Sequence, residues 1–394
     1  MIAAATVVAC TGCGDPDTGG GRTASSHPSS GDAGLSPAGE TSRFEEEAPL
    51  VDYSERPRDE VRLEEGDTVR MIARYGGRNT FGRVDVILAL DDVLVVSDGQ
   101  IEPHLVVLDR GSDEFVHRFG PEGSGPGEFR HVPSLFPVSE DRLIVAVYDV
   151  PNGRLTRVRL SGADFEPQLV EAVPFRAEKL VTGVVPMADR YVGTGGFGAD
   201  HRLAVFDSTG SVLKRVKTVD PGVVSEKVRK SRLDLSLLQN QIGKEPGGSR
   251  VALVFTELNR LEIVDFADGT YRVVKGPRPA EPALTTEGRR PLSVDWDEHE
   301  RAYLGLATTE DRIYAAFCGC SHSRAAARQG KAPFPRRVQV YDWSGRLVGE
   351  FTVDREIRKI EVPPGDSVLY ASYRDPVPRI GKWRIPDWVR SSPP

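Results

Sequence analysis

An acidic turn residue followed by a short strand recurs along the chain: DDVLVVSD from Asp91, DRLIVAVYD from Asp141, DRYVGTGG from Asp189, DRIYAAFCG from Asp311 and DSVLYASYRD from Asp366. A weaker copy, SRVALVFTELN from Ser249, fills the long gap between the third and the fourth. In each copy the turn gives way to β-branched, small and aromatic side chains, the composition of a strand. Six copies at a spacing of about fifty residues describe a chain built by repeating one supersecondary unit.

The rest of the unit is legible around these strands. A second hairpin follows, as in LVVLDRGSDEFVHRFG from Leu105, LAVFDSTGSVLKRVKT from Leu203, LEIVDFADGTYRVVKG from Leu261 and VQVYDWSGRLVGEFTV from Val338. LTRVRLSGADFEPQLV from Leu155 is a degraded version, and KWRIPDWV from Lys382 has only its first half. Another strand precedes each acidic turn: VDVILAL from Val84, SLFPV from Ser134, LVTGVVP from Leu180, YLGLAT from Tyr303 and IRKIEVP from Ile357. Each unit is then a four-stranded antiparallel meander, the size and content of a β-propeller blade. Meanders laid side by side would expose long edges, whereas a radial arrangement buries their faces against one another. The expected fold is all-β, a six-bladed β-propeller over residues 60–394. Because the sixth unit stops after its third strand, its outermost strand is expected from EVRLEEGDTVRMIARYG, residues 60–76.

The stretch FGPEGSGPGEFRHVP, residues 119–133, is too rich in glycine and proline for the interior of a helix or central strand. It reads as the connection from the outer strand of one blade to the inner strand of the next. Through Gly123, Gly125, Pro126, Gly127, Glu128, Phe129 and Pro133 it resembles the linker phrase of NHL-type repeats. Across all six units the chain resembles the bacterial six-bladed, TolB-like propeller lipoproteins. That resemblance implies binding at a funnel on the axis, through the loops between blades and those joining second to third strands. In a minority of such propellers it implies catalysis: metal-held histidines in amidating lyases, a histidine base in streptogramin lyases, a calcium ion held by Glu, Asn and Asp in gluconolactonase-like members.

The N-terminus is made of different material. Residues 1–9 are uncharged and mostly apolar and run into Cys10, after which residues 11–59 open with a Gly, Ser, Pro, Asp and Thr tract. An apolar run, a small residue, a cysteine and a polar tether resemble part of a bacterial lipoprotein signal, with Val7 to Cys10 as the lipobox and Cys10 as the lipid-bearing residue. The implied address is the cell envelope, lipid-anchored and facing the periplasm or the exterior, with the membrane as one partner. Residues 11–59 are expected to be a flexible low-complexity tether. A net charge of −7 and a pI near 5.7 argue against a nucleic-acid partner.

Aligning the repeats places His104, His131, His201 and His322 in loops on one face of the disc, and Arg130, Asp149 and Arg324 are expected to line the ligand-binding face with them. Neutral imidazoles from different blades can converge on a zinc ion or serve as a base; solvated loop histidines are the plainer reading, and no HExxH spacing accompanies them. Zinc or calcium at the axis is compatible with the fold, and the sequence requires neither. Cys318 and Cys320 end the second strand of the fifth unit on one side of it, fit for a disulfide, two quiet thiols or a soft metal. Cys13 lies in the tether. From Arg312 to Tyr341 there is no acidic residue, and the 321–337 insertion carries Arg324, Arg328, Lys331, Arg336 and Arg337. EKVRKSRLDLSLLQNQIG, residues 226–243, has Val228, Leu235, Leu238 and Ile242 at helical spacing and is expected to be a helix on the rim. No nucleophile elbow, Walker loop or Rossmann phrase occurs. The function expected is a binding module for a protein, peptide or glycan through the loop face, with a propeller lyase or hydrolase as the alternative.

Overall fold

The repeated strands are apolar at most positions because each lies between two other sheets. In DVLVVS, Val93 and Val95 pack against Leu135, Val145 and Val147 of the following repeat. Leu94 and Val96 face the other way, toward Tyr370 and Ile380 of the last repeat. A strand with both faces covered has no place for polar alternation, and each fully buried Val or Leu contributes about 1.5–3 kcal/mol.

The computed structural model describes residues 50–52, 68–69, 71–75, 81–138, 143–162, 164–177, 181–197, 201–217, 239–275, 284–285, 293–295, 299–321, 333–365, 367–374 and 377–391. These belong to one compact unit, Arg43–Pro394. Three short strands come first: β1 (Leu50–Asp52), β2 (Thr68–Val69) and β3 (Met71–Tyr75). Blade 1 is β4 (Val84–Ala89), β5 (Val93–Asp98), β6 (Leu105–Asp109) and β7 (Phe115–Phe119). Blade 2 is β8 (Ser134–Pro137), β9 (Ile144–Asp149), β10 (Arg154–Ser161) and β11 (Glu166–Pro174). Blade 3 is β12 (Val181–Met187), β13 (Arg190–Gly195), β14 (His201–Phe206) and β15 (Val212–Lys217). Blade 4 is β16 (Asn240–Lys244), β17 (Arg250–Phe255), β18 (Arg260–Asp265) and β19 (Tyr271–Lys275). A two-residue hairpin, β20 (Leu284–Thr285) with β21 (Ser293–Val294), precedes blade 5, which is β22 (Glu300–Thr308), β23 (Arg312–Ser321), β24 (Arg337–Asp342) and β25 (Leu347–Val353). Blade 6 is β26 (Ile357–Glu361), β27 (Val368–Arg374) and β28 (Pro378–Arg384), followed by the short helix α1 (Asp387–Ser391).

The ring closes as the missing strand requires. β3 pairs antiparallel with β28, Ile380 opposite Tyr75 and Trp383 opposite Met71, giving the sheet order β26-β27-β28-β3. Asp354 braces the seam, its Oδ1 accepting from the Met71 amide at 3.2 Å and from the Trp383 indole at 2.8 Å. The innermost strands adjoin in the cycle β4, β8, β12, β16, β22, β26 and back to β4. Six apolar clusters, one at each interface between neighbouring blades, form the core.

Two features depart from expectation. β1 pairs parallel with β19 and β2 parallel with β25, so the segment ahead of β3 adds an outer strand to blades 4 and 5, and β1 falls inside the stretch assigned to the tether. The helix expected over residues 226–243 is corrected at its C-terminal end. Asn240–Lys244 is the innermost strand of blade 4, and Ile242 lies opposite Leu253 in an antiparallel ladder. A sheet partner outweighs the local helical spacing there. Residues 226–238 lie outside the described residues.

The glycine-rich linker joins β7 to β8 and folds around Phe129, which is fully buried between blades 1 and 2. The Phe129 amide donates to the Pro121 carbonyl at 2.9 Å, and Gly120, with φ +75°, leaves room for the ring where a side chain would collide with it.

Candidate functional site

Linkers between blades and turns between second and third strands emerge on the same face, the loop face. On it, the last residue of β5, Asp98, is wholly buried. Its carboxylate accepts from the amides of Gly82 and Arg83 at 3.0 Å, where the chain enters blade 1, and from those of Gln100 and Ile101 in its own turn at 3.1 and 3.2 Å. Asp149 ends β9 and is also wholly buried; it accepts from the Arg130 amide at 3.0 Å and the Asn152 side chain at 2.7 Å. These carboxylates fix the rim of the mouth.

Behind the rim runs an axial channel of about 1990 Å³, walled by the innermost strands of all six blades. Charged groups gather in its loop-face half where blades 5, 6 and 1 meet. From blade 1, Asp85 takes a two-point contact from Arg83, Nε to Oδ1 at 2.8 Å and Nη2 to Oδ2 at 2.9 Å. From blade 5, Arg301 stands 3.6 Å from the Glu257 carboxylate, whose other oxygen meets His299 Nε2 at 2.9 Å. From blade 6, Arg358 lies within electrostatic reach of Asp85, Arg83 and Arg301. Burial pushes its guanidinium below the ordinary value, with Asp85 opposing. Lys359 beside it is driven down to about 8, first by burial and then by Arg358.

A second polar group lies between blades 3 and 4. Arg260 pairs with Glu262 and donates to the Tyr271 hydroxyl at 2.8 Å. Burial raises the Glu262 carboxyl, and Arg260 and Arg202 work against it. At the opposite end of the channel, Glu361 accepts from the Ala89 amide at 3.2 Å, and burial raises its carboxyl to about 8.

A family model described as TolB-like 6-blade propeller-like matches residues 86–364. The chain belongs to this TolB-like family. Among solved structures it is similar to a member of the DUF4221 family from Bacteroides vulgatus, at 12% identity and TM-score 0.53, over 81% of this chain and 96% of that one. It is also similar to a candidate exported protein from Bacteroides fragilis, at 13% identity and TM-score 0.51, over 86% of this chain and all of that one. Both likenesses are of fold. No curated protein matches it in sequence.

In this TolB-like propeller the residues singled out from sequence fall into different settings. His104 is nearly buried, its Nδ1 3.0 Å from the Asp98 carbonyl and its amide donating to the Gly120 carbonyl at 2.9 Å. His131 lines the channel within electrostatic reach of His104, and burial lowers its imidazole. His201 opens β14, opposite Lys217 in the outer half of blade 3. Among the described residues no three His, Cys, Asp or Glu side chains are grouped to hold a metal ion. Arg130 is exposed on the loop face, while Asp149 is turned inward as a clamp on that loop. Cys318 and Cys320 stand joined as a disulfide at the loop-face end of β23, their Cα atoms 5.0 Å apart. Cys10, His322 and Arg324 lie outside the described residues.

The channel groups Arg301, Arg358, Lys359 and Glu361, with Glu257 and His299 behind them, were missed from sequence. A signal was present: IRKIE puts three charges into five residues of a strand nearest the axis, more than any other innermost strand carries.

Proposed function

We propose that this TolB-like propeller is an extracytoplasmic binding module, held to a membrane through lipid on Cys10. It receives part of a protein, peptide or glycan partner at the loop-face mouth of its axial channel. The observation that supports this most directly is the channel itself: about 1990 Å³, larger than an ordinary small-molecule pocket, with a rim fixed by buried carboxylates. A rim that needs no reordering lowers the cost of binding. The description of the Bacteroides fragilis relative as a candidate exported protein agrees with the proposed address. The basic 321–337 insertion lies in sequence between β23 and β24, a connection that opens on the loop face, and would extend the contact surface.

A photo-cross-linking residue in place of Arg130, on the loop face, tests the reading against one in place of Asp189, in the turn between β12 and β13 on the other face. In cells, a discrete adduct is expected from position 130 and none from position 189. Adducts at both positions alike, or at neither, would overturn the loop-face assignment. Cys10→Ser is expected to move the protein from the membrane to the soluble fraction.

A further inference from the structure

We infer that the loop-face half of the axial channel is an oxyanion site, in which Arg358 and Lys359 bind a carboxylate or phosphate group carried by the partner. This rests on the reading above and names the chemistry of the group received.

The argument is one of charge balance in a confined space. Arg83 is neutralised by Asp85 through two hydrogen bonds, and Arg301 stands beside Glu257. Arg358 and Lys359 are adjacent on β26, line the channel, and make no side-chain hydrogen bond or ion pair among the described residues. Of the carboxylates near them, Asp85 is already spent on Arg83. Glu361 on the same strand is directed to the Ala89 amide. Two cationic groups therefore stand on one strand with no carboxylate of their own, where loss of solvent and like charge oppose them and the shared Asp85 offsets only part.

A fold does not keep such a pair for stability, because an apolar residue of similar volume would cost less. The arrangement is favourable when a counter-charge arrives from outside: an anion meeting a half-desolvated guanidinium and ammonium gains more than it would from solvated ones. Arginine supplies a planar two-point donor and lysine a compact point charge, the combination suited to an oxygen-rich anion. Arg301 and Arg83 flank the position, each beside a carboxylate of its own. The site is built on strands, and the Arg358 backbone is seated against Gly305 of blade 5, which fixes its place in the wall.

The test uses the full chain with sodium phosphate and sodium succinate as probes, titrated at constant ionic strength against sodium chloride while thermal unfolding is followed. Saturable stabilisation by at least one of the two anions is expected, with no comparable rise in chloride. Arg358→Gln and Lys359→Met are each expected to raise the half-saturating concentration at least about tenfold, the scale of one charge-assisted hydrogen bond. The anion with the lower half-saturation identifies the group as phosphate or carboxylate. A response equal to that in chloride, or half-saturation unchanged in both variants, would overturn the site. Circular dichroism checks that each variant is folded; if Arg358→Gln is not, Lys359→Met decides alone. The position-130 cross-link separates this inference from the reading beneath it. Loss of the anion response with the adduct intact removes the oxyanion site and leaves the binding module standing, whereas loss of both removes both.

Discussion

Asp98 and Asp149 occupy the same place in consecutive blades, and each turns its carboxylate onto the backbone of the linker that has just arrived. Repetition has thus produced a repeated clamp: the acid at the end of a second strand holds both its own turn and the preceding blade-to-blade connection. Asp149→Ala would leave the Arg130 amide without its acceptor and the Asn152 side chain with only the Gly123 carbonyl. A loss of about 2–3 kcal/mol is expected, read as a lower denaturant midpoint at unchanged m-value. Asp149→Asn, which keeps one acceptor oxygen, is expected to lose less.

The contact between blades 5 and 6 is set by one glycine. A Cβ on Gly305 would lie 2.7 Å from the Arg358 carbonyl oxygen, a backbone atom that cannot turn aside. Gly305→Ala must therefore push β22 and β26 apart, at a cost of about 1–3 kcal/mol. Since β26 carries Arg358 and Lys359, the same change is expected to weaken any anion-dependent stabilisation. Paired thermal scans with and without phosphate measure both effects.

How much of this was legible beforehand depends on where each residue faces. Second strands such as Val93–Asp98 announce themselves because both faces are covered by other blades and nearly every position is apolar. The closing strand was recoverable because the last repeat lacks its fourth strand. β16 was not, because NQIGK is half-buried throughout against the channel and carries no apolar alternation. β1 and β2 are too short for any periodicity. The charged cluster was hidden for another reason: Arg83, Asp85, Glu257, Arg301 and Arg358 come from four blades and meet only when the circle is closed.

That closure is itself open to test. Asp354 joins the Met71 amide and the Trp383 indole, one partner from each end of the ring. Asp354→Ala is expected to cost about 1–3 kcal/mol and to raise hydrogen exchange first along β3 and β28. Removing residues 60–76 should abolish cooperative unfolding, because blade 6 would keep an uncovered edge beside an exposed Trp383. A truncated chain that unfolds with the wild-type midpoint would refute the closure.

The half-buried acid at the other end of the channel gives a pH signature with a definite sign. Burial raises Glu361 from an ordinary 4.5 to about 8, so the folded protein holds this proton where the unfolded chain releases it. Its contribution is complete below pH 4.5 and is lost as pH climbs toward 8, with a slope of at most about 1.4 kcal/mol per pH unit. Lys359 acts in a separate window. Its value is lowered from 10.5 to about 8, so its contribution is present above 10.5 and is lost as pH falls through 8. Between pH 4.5 and 8 the slope therefore belongs to Glu361 alone of the two. Glu361→Gln keeps an oxygen for the Ala89 amide and cannot ionise. It is expected to match wild type near pH 4.5 and to exceed it progressively toward pH 8, as chemical denaturation at intervals across that range would record. Parallel curves for the two proteins would show that Glu361 ionises as freely in the fold as in the unfolded chain.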